Sequence, residues 1–155
     1  MRTIRTKIYK FSELSKEAQQ KAIENLSGIN VDYDWWQSIY EDAENVGLKI
    51  TSFDLDRNRH AKGKFTGYAI DTAKDILEEH GKDCETYKTA EKFMSDYDNT
   101  LDEDIEELEE DFLKSLLEDY SIMLQKECEY LQTEEAIKET IEANDYEFTR
   151  EGKQF

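Results

Sequence analysis

From Leu101 to Tyr120, apolar side chains recur at Leu101, Ile105, Leu108, Phe112, Leu116 and Tyr120, with spacings of four, three, four, four and four residues. Only an α-helix puts residues three and four apart on one face. The pattern therefore predicts one long helix over "TLDEDIEELEEDFLKSLLEDYSIMLQKECEYL", about 45 Å if unbroken at the helical rise. Between the apolar positions, Asp102, Glu103, Asp104, Glu106, Glu107, Glu109, Glu110 and Asp111 put eight carboxylates into ten residues without one Lys or Arg. Thr100 and Glu103 read as a capping box, and Asp102, Glu103 and Asp104 suit the positive end of the helix dipole. The other five acids have no such local use. From Asp102 to Asp111 there are four like-charged i,i+4 pairs and four i,i+3 pairs. At about 0.2 to 0.5 kcal/mol each, they add a few kcal/mol of self-repulsion. A helix built for stability alone would interleave Lys, and the first relief is Lys114.

The net charge of the chain is -18, and its distribution is uneven. Met1 to Lys64 carries 11 Lys and Arg against 10 Asp and Glu, whereas Phe65 to Phe155 carries 9 against 28. Acidity gathered on one part makes a directional field that attracts cationic partners and repels nucleic acid and anionic membrane. Neither direct nucleic-acid binding nor a membrane partner is expected. The 155 residues include nine Tyr, seven Phe and two Trp, enough large side chains for a core despite the polarity. With no Pro and six Gly, no stretch reads as a linker, so a single domain over residues 1–155 is expected. Cys84 and Cys128 are isolated thiols, no apolar run is long enough to span a membrane, and "MRTIRTKIYKF" lacks the apolar centre of a signal peptide. A cytoplasmic setting in a bacterial host cell follows as the expectation.

The remaining pattern is α+β, a small antiparallel sheet of about four strands packed with helices. "TIRTKIYKF" alternates as a strand does, and "YEFTREGKQF" begins as a short strand able to pair with it. "SKEAQQKAIENLSG" is a helix with Ser15 as N-cap and Gly28 past its end. "DYDWWQSIYEDAENVG" predicts a second helix ending at Gly47. "LKITSFDLD" and "GKFTGYAID" flank the polar "RNRHAK" as a hairpin. "TAKDILEEHG", "TYKTAEKFMSDY" and "TEEAIKETIEAN" read as shorter helices.

Function must come from the acidic strip. Eight carboxylates over ten residues give one charge per about 1.9 Å of helix axis, close to the roughly 1.7 Å of duplex DNA. Such a face can imitate a phosphate backbone and occupy the basic groove of a nucleic-acid-binding protein, its carboxylates taking the Arg and Lys that normally hold phosphates. The candidate partner-binding residues are Asp102, Glu103, Asp104, Glu106, Glu107, Glu109, Glu110 and Asp111, with Glu118, Asp119 and the aromatic Trp35. The plain alternative is a solvated acidic face with no partner. Around Trp35, "DYDWWQSIY" offers a rival, an aromatic anchor for one protein, although such a residue more often covers a neighbouring element.

No enzyme is expected, because no nucleotide-binding, nucleophile-elbow or zinc-protease motif occurs and close carboxylate pairs are inevitable among 38 acids. Neither a metal nor a cofactor is expected. An EF-hand register from Asp96 would use Asp98, Thr100, Asp102, Asp104 and Glu107, but the position that needs Gly is Leu101. Asp54 and Asp56 share a strand face that more often meets solvent, and His60 and His80 lack ligand spacing.

The run "WWQSIYEDAENVGLKITSFDLDR", with "LLEDY" and "EEAIKETIEANDYEF" further on, resembles a small family of uncharacterised acidic proteins of bacterial phages and prophages, some labelled antitoxin-like. The resemblance carries over no catalytic residue. A phage setting implies counter-defence, by analogy of charge and size with DNA-mimicking anti-CRISPR and anti-restriction proteins. The expected partner is then a CRISPR effector or a restriction enzyme, and the rival reading is an antitoxin or adaptor that grips its partner around Trp35.

Overall fold

The computed structural model describes residues 3–155; Met1 and Arg2, which precede the first expected strand and open the stretch weighed as a signal peptide, lie outside it. In chain order the elements are β1 (Tyr9–Lys10), α1 (Lys16–Asn25), α2 (Gln37–Asn45), β2 (Leu48–Asp54), β3 (His60–Phe65), α3 (Ala69–Glu79), α4 (Glu85–Asp98), α5 (Ile105–Leu131), α6 (Glu134–Ala143) and β4 (Glu147–Phe148), with 3-10 turns at Phe11–Glu13 and Asp102–Asp104. The class is α+β, mostly helical, and the four strands form two separate antiparallel pairs, β1 with β4 and β2 with β3. The described chain divides into two compact units, one running from Trp36 to Lys126 and the other made from both ends, up to Trp35 and from Glu127 onward.

The unit of the two chain ends packs Phe11, Leu14, Ala18, Ala22, Ile137, Ile141 and Phe148 together. Ser15 caps α1 as its sequence implies, its hydroxyl accepting from the Ala18 N–H at 3.2 Å, and Thr133 does the same for α6 at Ala136. β1 does pair with β4, but only Tyr9 and Lys10 are in strand. Thr3 to Ile8 form no regular element, and Ile4 is 81% exposed. The partner explains this. After Phe148 the chain turns back at Gly152, whose φ of +87° suits glycine, so β4 offers only two residues to pair with. A side chain at Gly152 would also meet the Ala18 carbonyl.

The Trp36–Lys126 unit is built on α5. Phe112 stacks on Phe93 at 4.2 Å between ring centres and on Phe65 at 5.6 Å, while Leu116 and Tyr120 are fully buried further along the stripe. α2 begins at Gln37, five residues later than the sequence suggests, because the preceding residues are spent on turns such as Trp35 N–H to Tyr33 O. It ends at Asn45, and the chain leaves it through Gly47, where φ is +87°. The hairpin is present, but β3 starts at His60, inside the stretch expected to be the turn, and ends at Phe65. "YAID", expected as strand, opens α3 instead, because Ala69, Ala73 and Ile76 bury one helical face in the core.

The capping box at Thr100 and Glu103 does not form. The Thr100 hydroxyl donates backward to the Asp96 carbonyl at 2.5 Å and so finishes α4, while Leu101 occupies the cap position without any side-chain bond. A 3-10 turn carries Asp102, Glu103 and Asp104 before α5 begins. With 27 residues, α5 is about 40 Å long at the helical rise.

Candidate interaction surface on the acidic helix

Helical phase sorts the acids of α5. At about 100° per residue, Glu106, Glu107, Glu110 and Asp111 fall on an arc opposite the Ile105, Leu108, Phe112 and Leu116 stripe, while Glu109 falls beside it. Accordingly the first four are exposed and Glu109 is half-buried. With Asp102, Glu103 and Asp104 in the preceding turn, seven carboxylates face solvent. Not one of these seven, nor Glu109, makes an ion pair or side-chain hydrogen bond with a described residue. Allowing about 2.0 Å rise in the 3-10 turn and 1.5 Å in the helix, the exposed charges stand roughly 2.4 Å apart along the axis, somewhat sparser than the sequence count alone suggests.

The row stops after Asp111. Lys114 falls on the same arc, and Glu118 is already held by Arg59 from the β2–β3 loop. That guanidinium works as a fork: Nε donates to Ser121 Oγ at 3.3 Å, one terminal nitrogen to Gln125 Oε1 at 2.9 Å and the other to Glu118. Asp119 lies on the stripe side and is half-buried, and the Thr89 hydroxyl donates to it at 2.6 Å. Burial pushes its carboxyl above the usual range and Glu85 and Glu118 add to this, against the Thr89 bond. A groove of about 540 Å³ beside these residues is lined by Lys92 and Lys114 as well as Asp96 and Asp111, so this flank is of mixed charge. Of the expected partner-binding residues, Glu109, Glu118 and Asp119 are therefore not free surface carboxylates. Their helical phase was readable in the sequence; the reach of Arg59 across 59 residues to Glu118 was not.

Trp35 belongs to the other unit and is half-buried, whereas its neighbour Tyr33 is 64% exposed. In the Trp36–Lys126 unit, Trp36 and Tyr40 meet Phe53 edge-on at 5.4 and 6.2 Å. The EF-hand register weighed and set aside in the sequence falls on α4, the 3-10 turn and α5, and its first two acids, Asp96 and Asp98, are helical rather than in a loop. Asp54 Oδ1 accepts the Asp56 N–H at 2.9 Å and shapes the hairpin turn. Among the described residues no group of three or more His, Cys, Asp or Glu is placed to hold a metal ion, and no helix is long and apolar enough to cross a membrane.

Comparison with protein-family models, with curated proteins and with solved structures gave no match.

Proposed function

We propose that this protein is a non-catalytic inhibitor, working in the bacterial cytoplasm, that sets the acidic face of α5 and the turn before it into the basic groove of a nucleic-acid-binding protein. The observation that carries the reading is the row of seven exposed carboxylates, from Asp102 to Asp111, without a cation partner among the described residues. Four like-charged pairs lie wholly within α5, 106/110, 107/111, 106/109 and 107/110. They cost about 1 to 2 kcal/mol together, which a Lys at any of several positions would relieve. A surface that keeps this repulsion is suited to meeting cations from outside. Lys and Arg of a partner groove would form charge-assisted hydrogen bonds to the carboxylates, and the field would speed encounter.

The resemblance of Trp35 to Arg57 to phage proteins supports counter-defence, with a CRISPR effector or a restriction enzyme as partner. The antitoxin or adaptor reading has less behind it, since its anchor, Trp35, is already half-buried. The two separate on salt. Cleavage of DNA by a CRISPR effector and by a restriction enzyme, titrated with this protein, should be inhibited in at least one case, and less so at higher ionic strength. Inhibition that ignores salt and vanishes with Trp35→Ala would favour the aromatic reading instead.

A further inference from the structure

The outward face of the β2–β3 hairpin carries the opposite charge. β2 and β3 form a two-stranded sheet, and on either side of the irregularity between Ile50 and Ser52 the register keeps one face inward and the other outward. Leu48, Ile50, Ala61 and Phe65 turn to the core, where Phe65 stacks on Phe112 of α5 and a side chain at Gly63 would meet Leu117. Lys49, Lys62 and Lys64 turn to solvent with Thr51 and Ser52. Lys49 stands directly opposite Lys64, a like-charged cross-strand pair that works against the pairing of its own strands. In a chain with 38 acids, none of the three lysines meets a described carboxylate. The acidic row of the same chain is out of their reach. Its arc is centred opposite Phe112, and Phe112 lies on the side of α5 that the hairpin covers, so the two charged faces look away from each other across this unit.

We propose that the Lys49, Lys62 and Lys64 face is a docking surface for a second copy of this chain, which it takes by the exposed carboxylates Glu106, Glu107, Glu110 and Asp111. The spacings correspond. Lys62 and Lys64 are about 6.6 Å apart along the strand, and Lys49 is about 5 Å across from Lys64. Glu106 and Glu110, and likewise Glu107 and Asp111, are about 6 Å apart along the helix. Three ammonium groups on flexible stems thus meet a two-by-two block of carboxylates and form charge-assisted hydrogen bonds with it. The net charge of -18 on each copy opposes approach, but salt screens that repulsion beyond about 8 Å at physiological ionic strength, whereas pairs in contact persist. A second copy is favoured over nucleic acid because it settles both unpartnered faces at once. Since the two faces differ, the contact is head-to-tail, and each docked copy still offers a free face, so growth passes beyond a dimer. The inference goes beyond the inhibitor reading and does not rest on it: self-association occupies the row that a nuclease would take, and no nuclease enters its test.

Sedimentation equilibrium of the full chain at 0.15 M NaCl should give a weight-average mass that is monomeric when dilute and at least doubles at millimolar protein, and 1 M NaCl should return it to the monomer. A Lys49→Glu, Lys62→Glu, Lys64→Glu variant should stay monomeric. So should a Glu106→Lys, Glu107→Lys, Glu110→Lys, Asp111→Lys variant, although it is less negative overall than the native chain and repels itself less. Mixed, the two variants should associate again, since the intact face of each meets the intact face of the other and the two reversed faces also match. A native chain that is monomeric at every concentration, or a mixture of folded variants that stays monomeric, would overturn the docking. Variants that associate as the native chain does would overturn it equally, as would duplex DNA of random sequence that binds the native chain and not the lysine variant. If either variant fails to fold, the mass of the native chain at the two salt concentrations decides.

Discussion

Replacing Arg59 with Ala removes a fork that spans nearly two turns of α5, from Glu118 to Gln125. The side chain is 34% exposed and its carboxylate partner 51%, so the ion pair itself contributes at most about 1 kcal/mol. The bonds to Ser121 and Gln125 add about 0.5 to 1.5 kcal/mol each, less the entropy of holding a long side chain. Ser121 keeps its own bond to the Glu118 carbonyl and is not stranded by the loss. The net destabilisation is about 2 kcal/mol, or roughly 6 °C in thermal midpoint for a chain of this size. Arg59→Lys keeps the charge but not the planar three-way donor set, and should lose about half as much. Calorimetry at 0.15 M and 1 M NaCl separates the parts, since only the Glu118 contact is screened. The same change releases Glu118 to the acidic face, so Arg59→Ala should bind a basic partner at least as tightly while melting earlier. An unchanged midpoint for Arg59→Ala, or equal losses for Ala and Lys, would refute the fork.

Two other perturbations probe the same unit. Phe112→Ala removes a ring that is 3% exposed and stacked between Phe93 and Phe65, and should cost about 3 to 5 kcal/mol by urea denaturation; a loss under about 1 kcal/mol would mean that the stack is not the centre of the core. Asp119→Asn removes a half-buried charge whose carboxyl is held above its usual range. Because a raised carboxyl binds its proton more readily when folded, the native chain loses stability as pH rises through that range. The Asn variant, still accepting from Thr89, should therefore melt higher at pH 7 and lose the advantage in acid, as thermal scans at the two pH values will show.

Local signals were the legible ones. Ser15 lies three residues before the N–H it caps, and the stripe from Ile105 to Tyr120 repeats often enough to define both the helix and its buried side. The pairing of the two chain ends was legible as two β-rich runs, though not its brevity, which depends on the reversal at Gly152. Thr100 misled because one hydroxyl can cap forward or bond backward, and the carbonyl of Asp96 at the end of α4 won. "YAID" misled because a short apolar run fits either period until the core selects one face. On the candidate surface, the exposure of Glu106, Glu107, Glu110 and Asp111 follows from phase alone. The loss of Glu118 to Arg59 depends on long-range packing that no window of sequence contains.

The central claim is that the outward carboxylates of α5 do the binding. Its most direct measurement is the affinity for an inhibited nuclease of the native chain and of a Glu106→Lys, Glu107→Lys, Glu110→Lys, Asp111→Lys variant, by calorimetry at two salt concentrations, with circular dichroism confirming the helix in both. The native chain should bind at least about tenfold more weakly at the higher salt, and the variant should not bind at either. A folded variant that binds as tightly as the native chain, with affinity indifferent to salt, would contradict the account.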